Sequence, residues 1–73
     1  MFYLIHEEDL WITTHAANKM VVEGISVAQI SRVLEQGSRF QQTDGYLCVY
    51  SYFSIAYKKI GEKYKIKTVF TNK

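Results

Sequence analysis

The spacing of hydrophobic positions along the chain changes near Gly37. Before this glycine, apolar residues recur every three or four positions, as they do on one face of an amphipathic helix. After it, apolar and polar residues alternate in segments rich in Tyr, Val, Ile and Thr, which is typical of β-strands. The pattern therefore predicts a helical half, about residues 14–37, followed by a sheet half, about residues 38–71.

Two short helices are predicted in the first half. Thr14 is a candidate N-cap for a helix over about 15–23, and Gly24 is expected to end it in a left-handed conformation. Ser26 is placed to cap a second helix over about 27–36, which Gly37 is expected to end in the same way. The positions expected to face the core are apolar residues at helical spacing: Ala16, Met20, Val22, Val27, Ile30, Val33 and Leu34.

An antiparallel meander is predicted in the second half, with strands at about 39–43, 46–52, 54–60 and 64–71. Asp44 and Gly45 are expected to form the first turn, because both residues tolerate the positive φ of a two-residue hairpin loop. In the last strand, Ile66, Thr68 and Phe70 are expected to share one face. The helices need a surface to cover, so the predicted fold is α+β, with two helices packed on one face of a three- to four-stranded antiparallel sheet.

The composition indicates one folded domain over residues 1–73. The hydrophobic share of 48% excludes a disordered chain. No apolar run approaches the roughly 18 residues of a membrane span, and the first residues lack the basic segment of a signal peptide, so we expect a cytoplasmic protein with no membrane contact. Cys48 is the only cysteine, which leaves no internal disulfide. Because so small a domain buries little surface, a homodimer or a protein partner is expected to stabilise it.

The net charge of +2 conceals an uneven distribution. Residues 1–36 carry two basic and five acidic side chains, whereas residues 37–73 carry seven basic and two acidic ones. A basic half of this kind can attract RNA or an acidic protein. The simpler alternative is that the lysines keep a sheet surface soluble and protect its edges.

His15 and Lys19 are candidate catalytic residues. They are four positions apart near the start of the first predicted helix, where free N–H groups and the helix dipole attract anions. The dipole also favours the neutral imidazole that a general base requires. The alternative is that His15 only caps the helix or bonds to the core.

Tyrosines and lysines alternate over the predicted sheet and form a candidate nucleic-acid surface. Aromatic rings can stack on bases while nearby cations bind phosphates. The alternative is that tyrosine is present because it is a good strand former. The tyrosines are Tyr46, Tyr50, Tyr52, Tyr57 and Tyr64, and the cations proposed to bind nucleic acid are Arg39, Lys58, Lys65 and Lys67.

No metal or cofactor is expected from the sequence. His6 and His15 do not have the spacing of a known ligand pair, and Cys48 lies within a predicted strand. The four glycines lie at predicted turns and helix ends rather than in a phosphate-binding loop.

Several short motifs resemble a family of small bacterial and archaeal proteins of unknown function. That family has the pattern H-A-x-x-R-M, then G-I-S/T, a helix and T-V-Y/F. It is similar to the RelE/ParE/BrnT toxin superfamily. The matching segments lie within residues 11–71 and are His15-Ala16, Lys19-Met20, Glu23-Gly24-Ile25-Ser26 and Lys67-Thr68-Val69-Phe70.

The resemblance implies helices packed on a curved antiparallel sheet, an antitoxin-like protein partner and RNA as a target. Two departures concern the site. Lys19 stands where the family has arginine, which keeps the charge but loses the bidentate fork. The segment after Val69 also lacks the Tyr or Arg that such toxins often place near the end.

Two functions follow as hypotheses. In the first, the protein is a toxin-type, metal-independent ribonuclease. A base (His15, or Tyr50 or Tyr52 as a proton carrier) takes the proton of the ribose 2′-hydroxyl, while basic residues hold the phosphate. Lys19, Arg39 and the sheet lysines have that second role. In the alternative, the protein is a non-catalytic module that binds protein or nucleic acid through its sheet.

Overall fold

The computed structural model describes residues 5–71, which form two helices and a five-stranded sheet. The helices are α1 (Thr14–Glu23) and α2 (Val27–Gln36), preceded by a 3-10 turn at Glu7–Asp9. The strands are β1 (Leu10–Ile12), β2 (Ser38–Gln42), β3 (Gly45–Tyr50), β4 (Phe53–Ile60) and β5 (Lys63–Thr71). Their order across the sheet is β1-β5-β4-β3-β2. The α+β class is confirmed.

The sheet differs from the prediction in size and in direction. It has five strands rather than three or four, and it is mixed, because β1 pairs with β5 in parallel. β1 has only three residues, too few for alternation to be visible in the sequence. Its pairing with residues more than 50 positions away is a tertiary contact that local patterning does not encode.

Both helices begin at capped N-termini, one of them a residue earlier than predicted. The cap of α1 is Thr13 rather than Thr14, since the Thr13 hydroxyl accepts from the Ala16 amide at 3.1 Å and donates to the Ile66 carbonyl at 2.8 Å. Contact with β5 therefore selects between the two threonines. α2 begins with a reciprocal capping box, in which Ser26 and Gln29 each bond the other's backbone amide.

Two glycines have roles that differ from those predicted. The first hairpin turns at Thr43-Asp44, and Gly45 is the first residue of β3, paired with Gln42. Gly45 has φ +113, and an added Cβ would collide with the Tyr57 carbonyl. Gly37 ends α2 in an extended conformation, not a left-handed one, and a Cβ there would lie 2.6 Å from the Val33 carbonyl oxygen. Close backbone approach requires glycine at both sites.

The core lies between α2 and the sheet. α2 packs mainly on β3 and β4. Of its predicted core residues, Ile30, Val33 and Leu34 are buried, and Val27 is half-buried. The fully buried side chains of this core include Ile30, Val33, Leu34, Cys48, Ile55, Ile66 and Val69.

α1 packs mainly along β5, where Glu23 accepts a hydrogen bond from the Thr71 amide at 3.1 Å. Of its predicted core residues, Ala16 is buried and Met20 is half-buried. Val22 is exposed, because this helix presents only a narrow face to its strand.

A β-bulge sets which residues of β5 face the core. Ala56 pairs with Thr68 but Tyr57 pairs with Ile66, so Lys67 is an extra residue in β5. Ile66 and Val69 therefore both point into the core, although they are three positions apart. The prediction that Ile66, Thr68 and Phe70 share a face is wrong for this reason. We call the side of the sheet that α2 covers the helix face and the opposite side the open face.

Candidate nucleic-acid interface

The helix face contains an open cleft of about 320 Å³, which three tyrosines and two cations line: Arg39, Tyr46, Tyr57, Lys59 and Tyr64. Strand pairing places these residues together. Tyr46 lies opposite Tyr57, and Lys59 lies opposite Tyr64. Each of the five lies on the same face of the sheet as the buried residues of its own strand or of the neighbouring strand. The strand register that forms the core therefore also forms the cleft.

The tyrosines form a row across β3, β4 and β5. Tyr57 is buried in the middle. The ring of Tyr46 stacks on it with centroids 5.6 Å apart and an interplanar angle of 24°, while the ring of Tyr64 is tilted at 5.7 Å. Tyr46 keeps 38% of its surface exposed. The row thus offers one outer aromatic ring supported by a buried one.

The two cations lie beside this row on different strands, Arg39 on β2 and Lys59 on β4. Lys59 Nζ is 3.3 Å from the Tyr64 hydroxyl and 4.4 Å from the centroid of that ring. Arg39 donates from Nη2 to the Leu34 carbonyl at 2.7 Å, which ties its guanidinium to the end of α2. Each cation is therefore held at the cleft by a contact that positions it.

Burial affects the ionisation of two groups beside Arg39. It raises the pKa of the Cys48 thiol and the pKa of the Tyr57 phenol, and the positive charge of Arg39 offsets only part of each effect. Both groups are therefore neutral at pH 7. The Tyr57 phenol is therefore a neutral aromatic ring in the cleft and is not ionised to act as a base.

These two pKa shifts predict a loss of stability in alkali. A thiol or phenol whose pKa is raised on folding stabilises the protein fully below the pKa of the unfolded chain, and this contribution is lost as the pH rises towards the folded value. We expect the free energy of unfolding to fall above about pH 9, the ordinary thiol pKa being 9.0. Urea unfolding of the wild type and of Cys48→Ala between pH 7 and 10.5 measures this. An equal decline in both would exclude a contribution from the thiol.

The three residues predicted to be catalytic lie on two elements, His15 and Lys19 on α1 and Tyr50 at the end of β3. His15 is exposed, with Nε2 3.2 Å from the Thr68 hydroxyl, and Thr68 belongs to the open face. Lys19 lies one turn further along α1. Tyr50 lies at the end of β3 beside Arg32 of α2. None of the three lines the cleft.

The residues predicted to bind nucleic acid are divided between the two faces. Arg39 lies in the cleft. On the open face, Lys58 and Lys67 contact the Asp44 carboxylate at 3.0 and 3.7 Å, and Lys65 lies over the Trp11 ring at 5.3 Å. Lys58 and then Lys67 lower the pKa of that carboxyl group, which stays ionised between them. Two of the three lysines are thus engaged by an acidic neighbour.

Lys59 is the cleft residue that the sequence prediction missed. It is adjacent to Lys58, and composition does not distinguish the two. The sequence signal that distinguishes them is an even spacing along the strand: Lys59 is two positions from Tyr57 and four from buried Ile55. Because side chains of a strand alternate between the two faces, this spacing places Lys59 on the helix face.

Over residues 5–71, no group of three or more His, Cys, Asp or Glu side chains is arranged to hold a metal ion. In the same part of the chain, neither helix has the length or apolar character needed to cross a membrane. Comparisons with protein-family models, curated proteins and solved structures return no significant match to this chain.

Proposed function

We propose that this protein binds single-stranded RNA in the tyrosine cleft, as a small RNA-binding protein with the α+β architecture of RelE/BrnT-like toxins. The observation that carries the proposal is the row of three tyrosine rings with Arg39 and Lys59 beside it on one face. The basic half of the chain adds a long-range field that attracts a polyanion.

The chemistry of the cleft matches the two parts of a nucleotide. Tyr46 packs one ring face on Tyr57 and leaves its outer face for a base. Arg39 and Lys59 then lie within the same cleft to bind the phosphates. A base must be unstacked to use such a ring, so the arrangement favours a single strand over a duplex.

Metal-independent cleavage of the bound strand is the second candidate function, favoured by the contact between Lys59 and Tyr64. In this reaction the ribose 2′-hydroxyl gives its proton to a hydroxide ion of the solvent, its oxygen attacks the phosphorus, the bond to the 5′-oxygen breaks, and that oxygen takes up a proton. Because the Tyr64 hydroxyl accepts from Lys59 Nζ, its own proton is available to the leaving oxygen. Arg39 and Lys59 would stabilise the charge on phosphorus.

The five cleft residues do not supply a general base for that reaction. His15 and Tyr50 lie outside the cleft, and its five lining residues include no imidazole or carboxylate to take the 2′-hydroxyl proton. RNA binding therefore has more support from the cleft residues than RNA cleavage does.

Two adjacent lysines on opposite faces provide a matched test of binding. We expect Lys59→Ala to weaken the binding of a short fluorescein-labelled RNA and to flatten the dependence of log affinity on log salt by about 0.7, because one phosphate is no longer neutralised. Lys58→Ala removes the same charge from the open face, where Asp44 engages it, and is expected to change little. Fluorescence anisotropy over a series of salt concentrations measures both variants.

Equal effects of the two substitutions would show that only net charge matters and would contradict a defined cleft. RNA affinity that does not depend on salt would contradict RNA as the ligand. The remaining function would then be the binding of an acidic or apolar protein partner. The same RNA, incubated with excess protein in EDTA and separated on a denaturing gel, tests cleavage. If cleavage is lost in His15→Ala but kept in Lys59→Ala, His15 is the catalytic residue, as the sequence predicts.

A further inference from the structure

Another open cavity, of about 240 Å³, lies where α2 meets the end of β3 and the turn that leads into β4. The buried Val33 and the half-buried Phe53 form its apolar part. The other lining residues all carry hydrogen-bond donors and none of them is acidic: Gln29, Arg32, Tyr50 and Ser51. Donors grouped around one cation are suited to binding an anion.

Arg32 supplies the positive charge of this cavity. Within residues 5–71 its guanidinium makes no hydrogen bond or ion pair. Glu35 lies three positions further along α2, a spacing at which the two side chains can pair. That carboxylate instead accepts a hydrogen bond from the Ile5 amide at 2.8 Å. The N–H groups of Arg32 are therefore available to a ligand.

The capping box of α2 determines which end of the Gln29 amide is available. Its Oε1 accepts from the Ser26 amide at 2.8 Å, so the Nε2 hydrogens are the part that can bond to a ligand. Gln29 lies in the first turn of α2, which contains no acidic residue. The positive end of the helix dipole therefore adds to the charge of Arg32 beside the cavity.

Ser51 has a backbone conformation that serine rarely adopts. Pairing of Tyr50 with Phe53 leaves Ser51 and Tyr52 as a two-residue turn, in which Ser51 has φ 56. Glycine is favoured in this conformation, because a Cβ is crowded by the backbone. Serine therefore brings a hydroxyl to the cavity at a cost in backbone strain, and strain of this kind is concentrated at ligand-binding sites.

We propose that this cavity binds a phosphate monoester group, with the guanidinium of Arg32 as its main anchor. The donors belong to α2, to the end of β3 and to the turn that follows, so they surround the group. A phosphate monoester has three terminal oxygens to accept from them, whereas a carboxylate has two. The volume is below the roughly 300–1,000 Å³ of a pocket that encloses a whole small molecule, so the cavity fits one charged end of a ligand.

Two kinds of ligand carry this group, an RNA strand with a 5′-phosphate and a small phosphorylated molecule. The first rests on the RNA binding proposed above. Tyr50 lies four residues from Tyr46 on the same face of β3, which is about 13 Å along the strand. This distance is roughly the rise of four stacked nucleotides, so an RNA in the cleft is long enough to place its end at Arg32.

Titration with inorganic phosphate, followed by amide NMR spectra of the protein, tests the site. We expect saturable shifts of the Gln29 and Ser51 amides that sodium chloride at equal ionic strength does not cause. Arg32→Gln should weaken this binding at least about tenfold, because charge-assisted hydrogen bonds are lost. Lys63→Gln is the matched control. It removes the same charge from β5, where Lys63 contacts Asp9 at 3.9 Å, and should bind phosphate like the wild type.

Ser51→Gly is a second variant that does not depend on loss of charge. It removes the hydroxyl and relieves the backbone, so phosphate binding should weaken severalfold while the melting temperature rises. Shifts that are unchanged in Arg32→Gln overturn the proposal. So do shifts that acetate reproduces at the same concentration, since the cavity would then not select a phosphate.

Two RNAs of one sequence, one with a 5′-phosphate and one with a 5′-hydroxyl, distinguish the two sources of the group. Tighter binding of the phosphorylated RNA that is lost in Arg32→Gln identifies the RNA end as the ligand. Equal binding of both RNAs, with inorganic phosphate still bound at Arg32, identifies a small phosphorylated molecule. Failure of the cleft gives a different result, because neither RNA would bind while inorganic phosphate still shifts the Ser51 amide.

Discussion

Replacing Leu34 with alanine should lower the free energy of unfolding by about 2–5 kcal/mol. Leu34 is fully buried on the inner face of α2, in the core that this helix forms with β3 and β4. Truncation removes apolar packing and leaves a cavity that the surrounding strands fill only in part. Urea titration followed by circular dichroism measures the change.

Val21→Ala is the control for this substitution. Val21 is 83% exposed on α1, so its truncation should shift the free energy of unfolding by no more than about 0.5 kcal/mol. A loss below about 1 kcal/mol in Leu34→Ala would mean that α2 does not pack through this face. Similar losses in both variants would lead to the same conclusion.

Replacing Tyr46 with alanine should weaken binding of single-stranded RNA by roughly 5- to 150-fold, which corresponds to about 1–3 kcal/mol for one base stacked on an aromatic ring. Tyr46 is the exposed member of the tyrosine row and stacks on Tyr57. Fluorescence anisotropy at fixed salt measures the loss. The melting temperature of the variant shows whether the protein is folded under those conditions.

Two controls distinguish stacking from other roles. Tyr46→Phe keeps the ring and should retain nearly all of the affinity. Tyr52→Ala removes an exposed tyrosine that lies outside the cleft, beside Gly24 and Phe53, and should have little effect. If Tyr46→Phe binds as weakly as Tyr46→Ala, the phenol hydroxyl rather than the ring makes the contact. If Tyr52→Ala is equally weak, the RNA does not occupy the cleft.

The helices could be predicted from the sequence because their signals are local. The apolar stripe of α2 repeats at helical spacing, and the Ser26–Gln29 capping box is complete within four residues. β2, β3, β4 and β5 were also predicted with small errors at their ends, since alternation and a turn signal are visible in short windows.

Contacts between distant segments could not be predicted in this way. β1 pairs with β5 in parallel, and the cap of α1 is Thr13 because its hydroxyl also bonds a carbonyl of β5. The bulge at Lys67 changes which residues of β5 face the core. Each depends on how two remote strands approach, and no spacing within either strand specifies that.

For the candidate site, the sequence alone determined the ingredients: a basic half, a series of tyrosines alternating with cations, and Arg39 among the residues proposed to bind nucleic acid. The tertiary structure decided which of them meet. Pairing of β3, β4 and β5 brings Tyr46, Tyr57 and Tyr64 into one row beside Lys59, and leaves Lys58 with Asp44 on the other face. The physical reason is that successive side chains of a strand point to opposite faces, so a function shared between strands depends on register, which only the folded sheet sets.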